Sequence, residues 1–127
     1  MITGLFSQPN YLAAKKLLDA TALRHEAIAS NLANLETPNY KRLDVAPSFQ
    51  TELRQAMSSP GASQLSGVQP HLAVDADAVA NTRDGNTVQL ETELTQLSKN
   101  FLAHTLETQL ITGSLLKLRL AITGRQI

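Results

Sequence analysis

Residues 88–122 read VQLETELTQLSKNFLAHTLETQLITGSLLKLRLAI, and their spacing decides the fold. Leu90, Leu94, Leu97, Phe101, His104, Thr108, Ile111, Leu115, Leu118 and Ile122 recur at alternating steps of four and three. Eight of these ten are apolar, sustained over nearly five heptads, which is a coiled-coil seam rather than a generic amphipathic face. At about 1.5 Å per residue the helix predicted over 88–122 is roughly 50 Å long. The same stretch carries a second row, Leu102, Leu106, Leu110, Leu116 and Leu120. An antiparallel partner helix within the chain can cover one row and not both. A large exposed Leu row normally marks a protein–protein surface, so the pattern alone implies assembly with other chains.

Working backwards, the helix is preceded by the turn tetrapeptide Asp84-Gly85-Asn86-Thr87. Asn86 as N-cap puts Gln89 at the third helical position, a capping-box arrangement. Glu91 and Glu93 then suit the positive end of the helix dipole, Lys117 and Arg119 the negative end. Gly124 supplies the stop.

A first helix is predicted over 11–35, after Pro9 and Asn10. One face collects Tyr11, Ala14, Leu17, Leu18, Ile28, Leu32 and Leu35, with Thr21 and His25 among them. Leu12, Leu23 and Ala27 form a weaker strip nearly opposite. Thr37-Pro38 ends the helix, because the residue before proline is pushed out of the α region. The expected fold is mainly α: an antiparallel coiled-coil hairpin of the two terminal helices. Between them, 41–86 reads as irregular, with Pro47, Pro60, Pro70 and the stretch Ser58-Ser59-Pro60-Gly61-Ala62-Ser63. It leaves room for a short helix from Ser48 to Met57, with Leu53 and Met57 on one side and Phe49 near them. Val68, Leu72 and Val74 hint at extended structure.

Composition sets the outer limits. The 127 residues suffice for one domain, 1–127. Eleven basic and eleven acidic residues leave no positive excess to neutralise a phosphate backbone, which argues against a nucleic-acid partner. Cys is absent, so disulfides, thiol catalysis and Cys-based metal sites are excluded. Residues Met1 to Asn10 have neither the basic nor the apolar region of a cleaved secretory signal. No run approaches a membrane-spanning length.

No chemistry-bearing constellation emerges. The reading is no enzyme, no metal, no cofactor and no small-molecule substrate. His25 and His104 fall on apolar helix faces without a carboxylate placed to complete a metal site. They are better taken as a polar layer that fixes register, with Thr21 and His25 near Thr108, and His104 near Ala29 and Ile28. Asp84-Gly85 with Glu91 mimics part of a calcium loop, but Ala80 and Thr82 stand where carboxylates are needed. Asp75-x-Asp77 reads as a solvated loop.

One motif remains, at the exit of the first helix: Ala29-Ser30-Asn31-Leu32-Ala33-Asn34-Leu35-Glu36-Thr37-Pro38-Asn39-Tyr40. Asn31 and Asn34 can bond backbone groups as the helix unwinds. Thr37-Pro38-Asn39-Tyr40 suits a type I or II turn, with Pro second and Asn third. Asn31, Ala33, Asn34, Thr37, Pro38 and Tyr40 match the N-terminal signature of the bacterial flagellar rod and hook protein family. Asn39 stands where that family has Gly, and Asn is the next-best residue for a positive φ. Asp84-Gly85-Asn86-Thr87-Val88 and the ending Leu120-Ala121-Ile122-Thr123-Gly124-Arg125 also resemble the short rod members. The resemblance covers about residues 11–45 and 84–125.

What the resemblance implies is a structural subunit of the proximal rod of the flagellar basal body. It would assemble through its coiled-coil helices into the tube that links the membrane ring and export gate to the distal rod, and transmit torque. The implied partners are other flagellar rod proteins, copies of the chain itself, the membrane ring and the flagellar type III export gate. The implied location is the periplasmic rod, reached by type III export without a cleaved signal. Two alternatives stay open at this stage: a helical-hairpin chaperone or adaptor of a secretion system, and the other short type of rod protein.

Overall fold

The computed structural model describes residues 9–60, 64–80 and 83–124. The N-terminal segment 1–8, the Gly61-Ala62-Ser63 part of the middle stretch, Thr82 and Arg125 therefore lie outside the described residues. The order of elements is α1 (Pro9–Ala33), β1 (Leu43–Val45), α2 (Ser48–Ser58), a 3-10 turn (Leu65–Gly67), β2 (Leu72–Val74) and α3 (Leu90–Thr123). The two terminal helices pack on each other as an antiparallel hairpin, as expected, since Asn31 meets Glu93 and Thr21 meets Glu107.

The boundaries shift by about a turn or less. Helix α1 is described from Pro9, whose fixed φ is compatible with the first turn of a helix. It closes at Ala33 rather than 35, because the Asn34 side chain turns back to Ser30 O at 2.8 Å. Helix α3 begins at Leu90, with Gln89 at the N-cap and no side-chain cap bond. Asn86 is thus not the N-cap expected from the capping-box pattern. At the other end Gly124 takes φ +65° and its N–H bonds Leu120 O at 2.8 Å, the left-handed stop read from the sequence.

Segment 41–86 is more ordered than its irregular reading. Strands β1 and β2 pair antiparallel with Leu43 opposite Val74, Asp44 opposite Ala73 and Val45 opposite Leu72. Helix α2 follows Pro47 and buries Phe49, Leu53 and Ala56, one face at helical spacing. Met57, expected on that face, is exposed, because Ala56 occupies the inward position instead. The hydrophobic core lies here: Val45, Phe49, Leu53, Ala56, Leu65 and Val68 pack against Ala13 and Ala20 of α1, with Leu12 and Leu23 beside them. Leu12 and Leu23 of the weaker strip of α1 thus face the core, together with Ala13, Ala20 and Leu17.

An adjacent face of α1, about 100° round the helix, meets α3, and the contact is not the seam expected. The residues that α3 buries are Glu93, Asn100 and Glu107, a strict seven-residue repeat of polar groups. Leu90, Leu94, Phe101, Leu115 and Ile122 of the predicted seam are exposed, Phe101 by 69%. Leu97, Ile111 and Leu118 are half-buried. In the second row Leu102, Leu106, Leu110 and Leu116 are exposed, and Leu120 is half-buried. On a helical wheel the predicted seam lies on one side of the polar line and Leu106, Leu110 and Leu120 on the other, while Leu102 and Leu116 lie nearly opposite it, on the back of the helix. The physical reason is pairing. Buried polar groups need partners, and α1 presents Asn31 and Thr21, with the Thr21 carbonyl, in register with that line.

Candidate functional site

The two motif segments, some fifty positions apart in sequence, form one joint. At the exit of α1, Thr37-Pro38-Asn39-Tyr40 closes a turn through Tyr40 N to Thr37 O at 3.3 Å. Asn39 sits at φ 59°, the positive φ that marks the type II form. Thr37 Oγ1 donates to Asn34 Oδ1 at 3.1 Å, tying the turn to the last helical residues. The Tyr40 hydroxyl folds back onto Ser30 Oγ at 2.8 Å and donates to Asn31 Oδ1 at 3.3 Å. Ala33 and Pro38 are exposed and make the outer surface of this corner.

Asn86 closes the joint from the other segment. Its side-chain amide lies 2.8 Å from Asn34 O, 3.1 Å from Leu35 O and 2.8 Å from Thr37 O. These are carbonyls of the turn that follows α1, two of which, Asn34 O and Thr37 O, also accept the backbone N–H of Thr37 and Tyr40, so that Asn86 pins the turn with further bonds. A residue expected to cap the start of α3 instead caps the end of α1. Around it, Asn39 N donates to Asp84 O at 2.7 Å, Thr87 N to Tyr40 O at 3.1 Å, and Lys41 Nζ to Gly85 O at 3.0 Å. Gly85 has φ +76°, and a Cβ there would lie 2.6 Å from Asn39 Oδ1. The close approach of the two turns thus needs glycine on one side.

Asn31 is the hub below the joint and is fully buried. Its Nδ2 donates to Leu43 O at 2.8 Å and its Oδ1 accepts from Leu43 N at 2.9 Å, so it pairs with the strand like a backbone peptide. The same Nδ2 reaches Glu93 Oε2 at 3.2 Å. Glu93, also fully buried, accepts from Arg42 Nε at 2.5 Å. Arg42 is buried too and bonds Asp75 at 2.8 Å and Asp44 at 3.3 Å, while Arg24 holds Asp44 at 2.8 Å. This network joins α1, β1, the loop after β2 and α3. Burial opposes the charge on Arg42, but Glu93 and Asp44 outweigh it and hold the guanidinium above its usual value. Burial likewise works against the Asp44 carboxylate, yet Arg24, the Val45 amide and Arg42 hold its pKa below the usual range.

The polar layer expected around Thr21, His25, His104 and Thr108 exists with Thr21 in it, but Asn100 and Glu107 stand in place of the others. Both imidazoles are exposed, because they point to the groove beside the hairpin rather than between the helices. Thr21, Asn100 and Glu107 make the layer: Asn100 Nδ2 donates to Thr21 O at 2.8 Å and Thr21 Oγ1 to Glu107 Oε2 at 2.9 Å. Asp75, read as part of a solvated loop, is an ion-pair partner, while Asp77 is exposed. Sequence reasoning missed the buried roles of Arg42, Glu93, Asn100 and Glu107. The signal available was the strict seven-residue spacing of the last three.

Nothing in this joint has the form of a reaction centre. Its parts hold two helices and a strand pair in one geometry, and its free surfaces are the two apolar rows of α3. The model of a family described as "Flagella basal body rod protein" matches residues 18–41, the second half of α1 and the turn. A "Flagellar basal body rod protein FlgB" of Borrelia hermsii is 31% identical, with 76% of this chain and 83% of that protein covered. The chain belongs to the FlgB family of flagellar basal body rod proteins. The FlgB of Aquifex aeolicus is 32% identical over 87% of this chain and 90% of its own length. That of Salmonella typhimurium is 32% identical over 81% and 84%. Membership in the FlgB family, a structural family, decides between the two short types of rod protein left open by the sequence. It also makes other rod components the class of partner and the flagellar basal body the location.

Proposed function

We propose that this chain is a non-enzymatic structural subunit of the proximal rod that assembles through the exposed apolar rows of α3. The observation that carries the reading is the division of labour on that helix. Its polar line faces α1 inside the chain, and its Leu rows face outward on both flanks. Exposed rows on two sides suit an open, heterologous assembly in which each subunit has different neighbours left and right. A discrete dimeric adaptor would need one such face, and the two-flank arrangement speaks against it. The occupants are the helices of neighbouring rod proteins and of further copies of this chain. At its ends the assembly would meet the membrane ring and type III export gate on one side and the distal rod on the other, in the periplasm. The reading includes export by the flagellar type III apparatus.

The joint at Asn31, Asn34, Thr37–Tyr40 and Asp84–Asn86 serves this role by fixing the angle at which the hairpin leaves the small core, so that every copy presents the same surface. The test is Leu106→Glu. Leu106 has 62% of its surface exposed, so the isolated chain should keep its helicity. Burying a carboxylate in an apolar contact should abolish rod assembly and motility. Normal motility in that variant overturns the assignment.

A further inference from the structure

Beside their contact, α1 and α3 leave a groove of about 870 Å³. Its walls are apolar, with Ala22 on α1 and Leu97, Phe101 and Leu102 on α3. Asn100 lines the same groove although it is only 5% exposed. Its Nδ2 donates to Thr21 O at 2.8 Å. Its Oδ1 has no hydrogen-bond partner, the one such buried side-chain oxygen or nitrogen among the described residues. A buried acceptor left open costs free energy that a donor from outside would recover. Glu26 of α1 also lines the groove; it is exposed and forms no ion pair among the described residues. Apolar walls, an open acceptor and a carboxylate together fit a long aliphatic side chain that ends in a cation. The exposed ring of Phe101 favours a guanidinium over an ammonium.

The chain carries such a side chain at the far end of the same helix. Of the three cations on α3, Lys99 and Lys117 lie on the other flank of the polar line. Arg119 lies on the groove's flank: it follows Phe101 by eighteen residues, a whole number of turns at about 100° per residue, and so shares its direction. Arg119 is exposed, forms no ion pair among the described residues, and stands between the exposed Leu115 and Ile122. Within one chain it cannot reach the groove, because continuous helix holds it about 28 Å from Asn100. A second copy can bring it there.

We propose that the groove beside Asn100 receives the C-terminal end of α3 from a neighbouring copy of this chain. Arg119 of that copy donates to Asn100 Oδ1 and pairs with Glu26, while Leu115 and Ile122 beside it cover Leu97 and Phe101. The helix end and the groove are different patches of one chain, so each copy can hold one neighbour and be held by another, the condition for an open row. This rests on the assembly reading above and names one contact within it.

The chain has no Cys, so single introduced thiols report the contact without background. Full-length Ala22→Cys and Leu115→Cys chains are mixed and joined with a short bis-maleimide. The mixed product, identified by mass spectrometry, should form, and should be lost when the Leu115→Cys chain also carries Arg119→Glu. Sedimentation of chains without introduced thiols gives the energetics. Arg119→Glu and Glu26→Arg should each weaken self-association by about tenfold or more, less so at high salt. The two together should restore most of it. Arg119→Met keeps an apolar stem without donors and should weaken association as well. Both positions are exposed, so circular dichroism should show wild-type helicity in every variant. Absence of the mixed product, or a charge exchange no better than the single variants, overturns the contact. Full association of Arg119→Met overturns the roles of Asn100 and Glu26. A wild-type chain that stays monomeric throughout overturns the contact between copies. The assembly reading is judged apart from it, by motility of Leu106→Glu, whose side chain lies on the other flank.

Discussion

Asn31 Nδ2 lies 3.2 Å from Glu93 Oε2, with both side chains fully buried between α1 and α3. That contact links the first residue of the helix-exit motif to the polar line of the long helix. Glu93 is held from its other side by Arg42, so a motif asparagine, the arginine just before β1 and a helix glutamate act as one unit. Such a unit sets register more than it adds stability, because the desolvation of its charges offsets much of the attraction between them.

Removing one partner is therefore expected to be costly. Glu93→Ala leaves Arg42 buried without its main counter-charge and should destabilise the chain by about 3–5 kcal/mol. Glu93→Met with Arg42→Met, which removes both charges, should recover much of that loss. Urea unfolding of the singles and the double, read as a double-mutant cycle, checks this. A double variant as unstable as the sum of the singles would contradict it.

Asn86→Ala removes the amide that lies between Asn34 O, Leu35 O and Thr37 O. The expected loss is about 1–2 kcal/mol, since three part-buried carbonyls lose a side-chain donor while two of them keep a backbone one. Because Asn86 caps α1 and not α3, hydrogen exchange should speed up in the Leu32–Tyr40 region, while the amides of the first turns of α3 stay protected. Faster exchange confined to α3 would restore the capping-box reading.

The Gly85–Asn39 approach is tested by substitution on each side. Gly85→Ala combines a positive φ with the 2.6 Å approach to Asn39 Oδ1 and should cost about 1–2 kcal/mol. Asn39→Gly fits the φ of 59° without strain and should be neutral or slightly stabilising. In the background of Asn39→Gly, the Gly85→Ala penalty should shrink, as the side chain it meets is gone. Thermal unfolding of the four chains reads the coupling.

Stability should depend on acid through Asp44. Its folded pKa lies below the ordinary value, so the stabilisation is present above that ordinary value and is lost as pH falls through the folded one. Arg24→Gln removes the strongest group that holds the carboxylate ionised. The acid-unfolding midpoint should then move to higher pH, followed by circular dichroism at low salt. Glu107 acts in the reverse sense: its raised pKa makes the protonated form the stable one, so its contribution declines as pH rises. An Arg24→Gln midpoint that does not move would show that Asp44 is not the group lost in acid.

The sequence by itself determined the terminal helices, the turn and the presence of two apolar rows on the last helix. Each is a local or periodic property: Gly124 stops α3, Pro38 and Asn39 set the turn, and a 4–3 repeat of apolar residues has one reading over that length. The sequence also contained the match to rod proteins, because the Asn-x-x-Asn-x-x-Thr-Pro-x-Tyr spacing is local. Only the tertiary structure decided which face of α3 turns to α1. Hydrophobic periodicity identified a surface that must be covered, but it does not say by which chain. Glu93, Asn100 and Glu107 look like ordinary solvated positions until Asn31, Thr21 and Arg42 arrive from elsewhere to pair with them. Asn86 shows the same limit: its neighbours in sequence proposed a cap for its own helix, whereas the carbonyls that need it belong to the end of α1. Polar groups take their role from the partner that burial brings to them, and for this chain those partners lie tens of residues away.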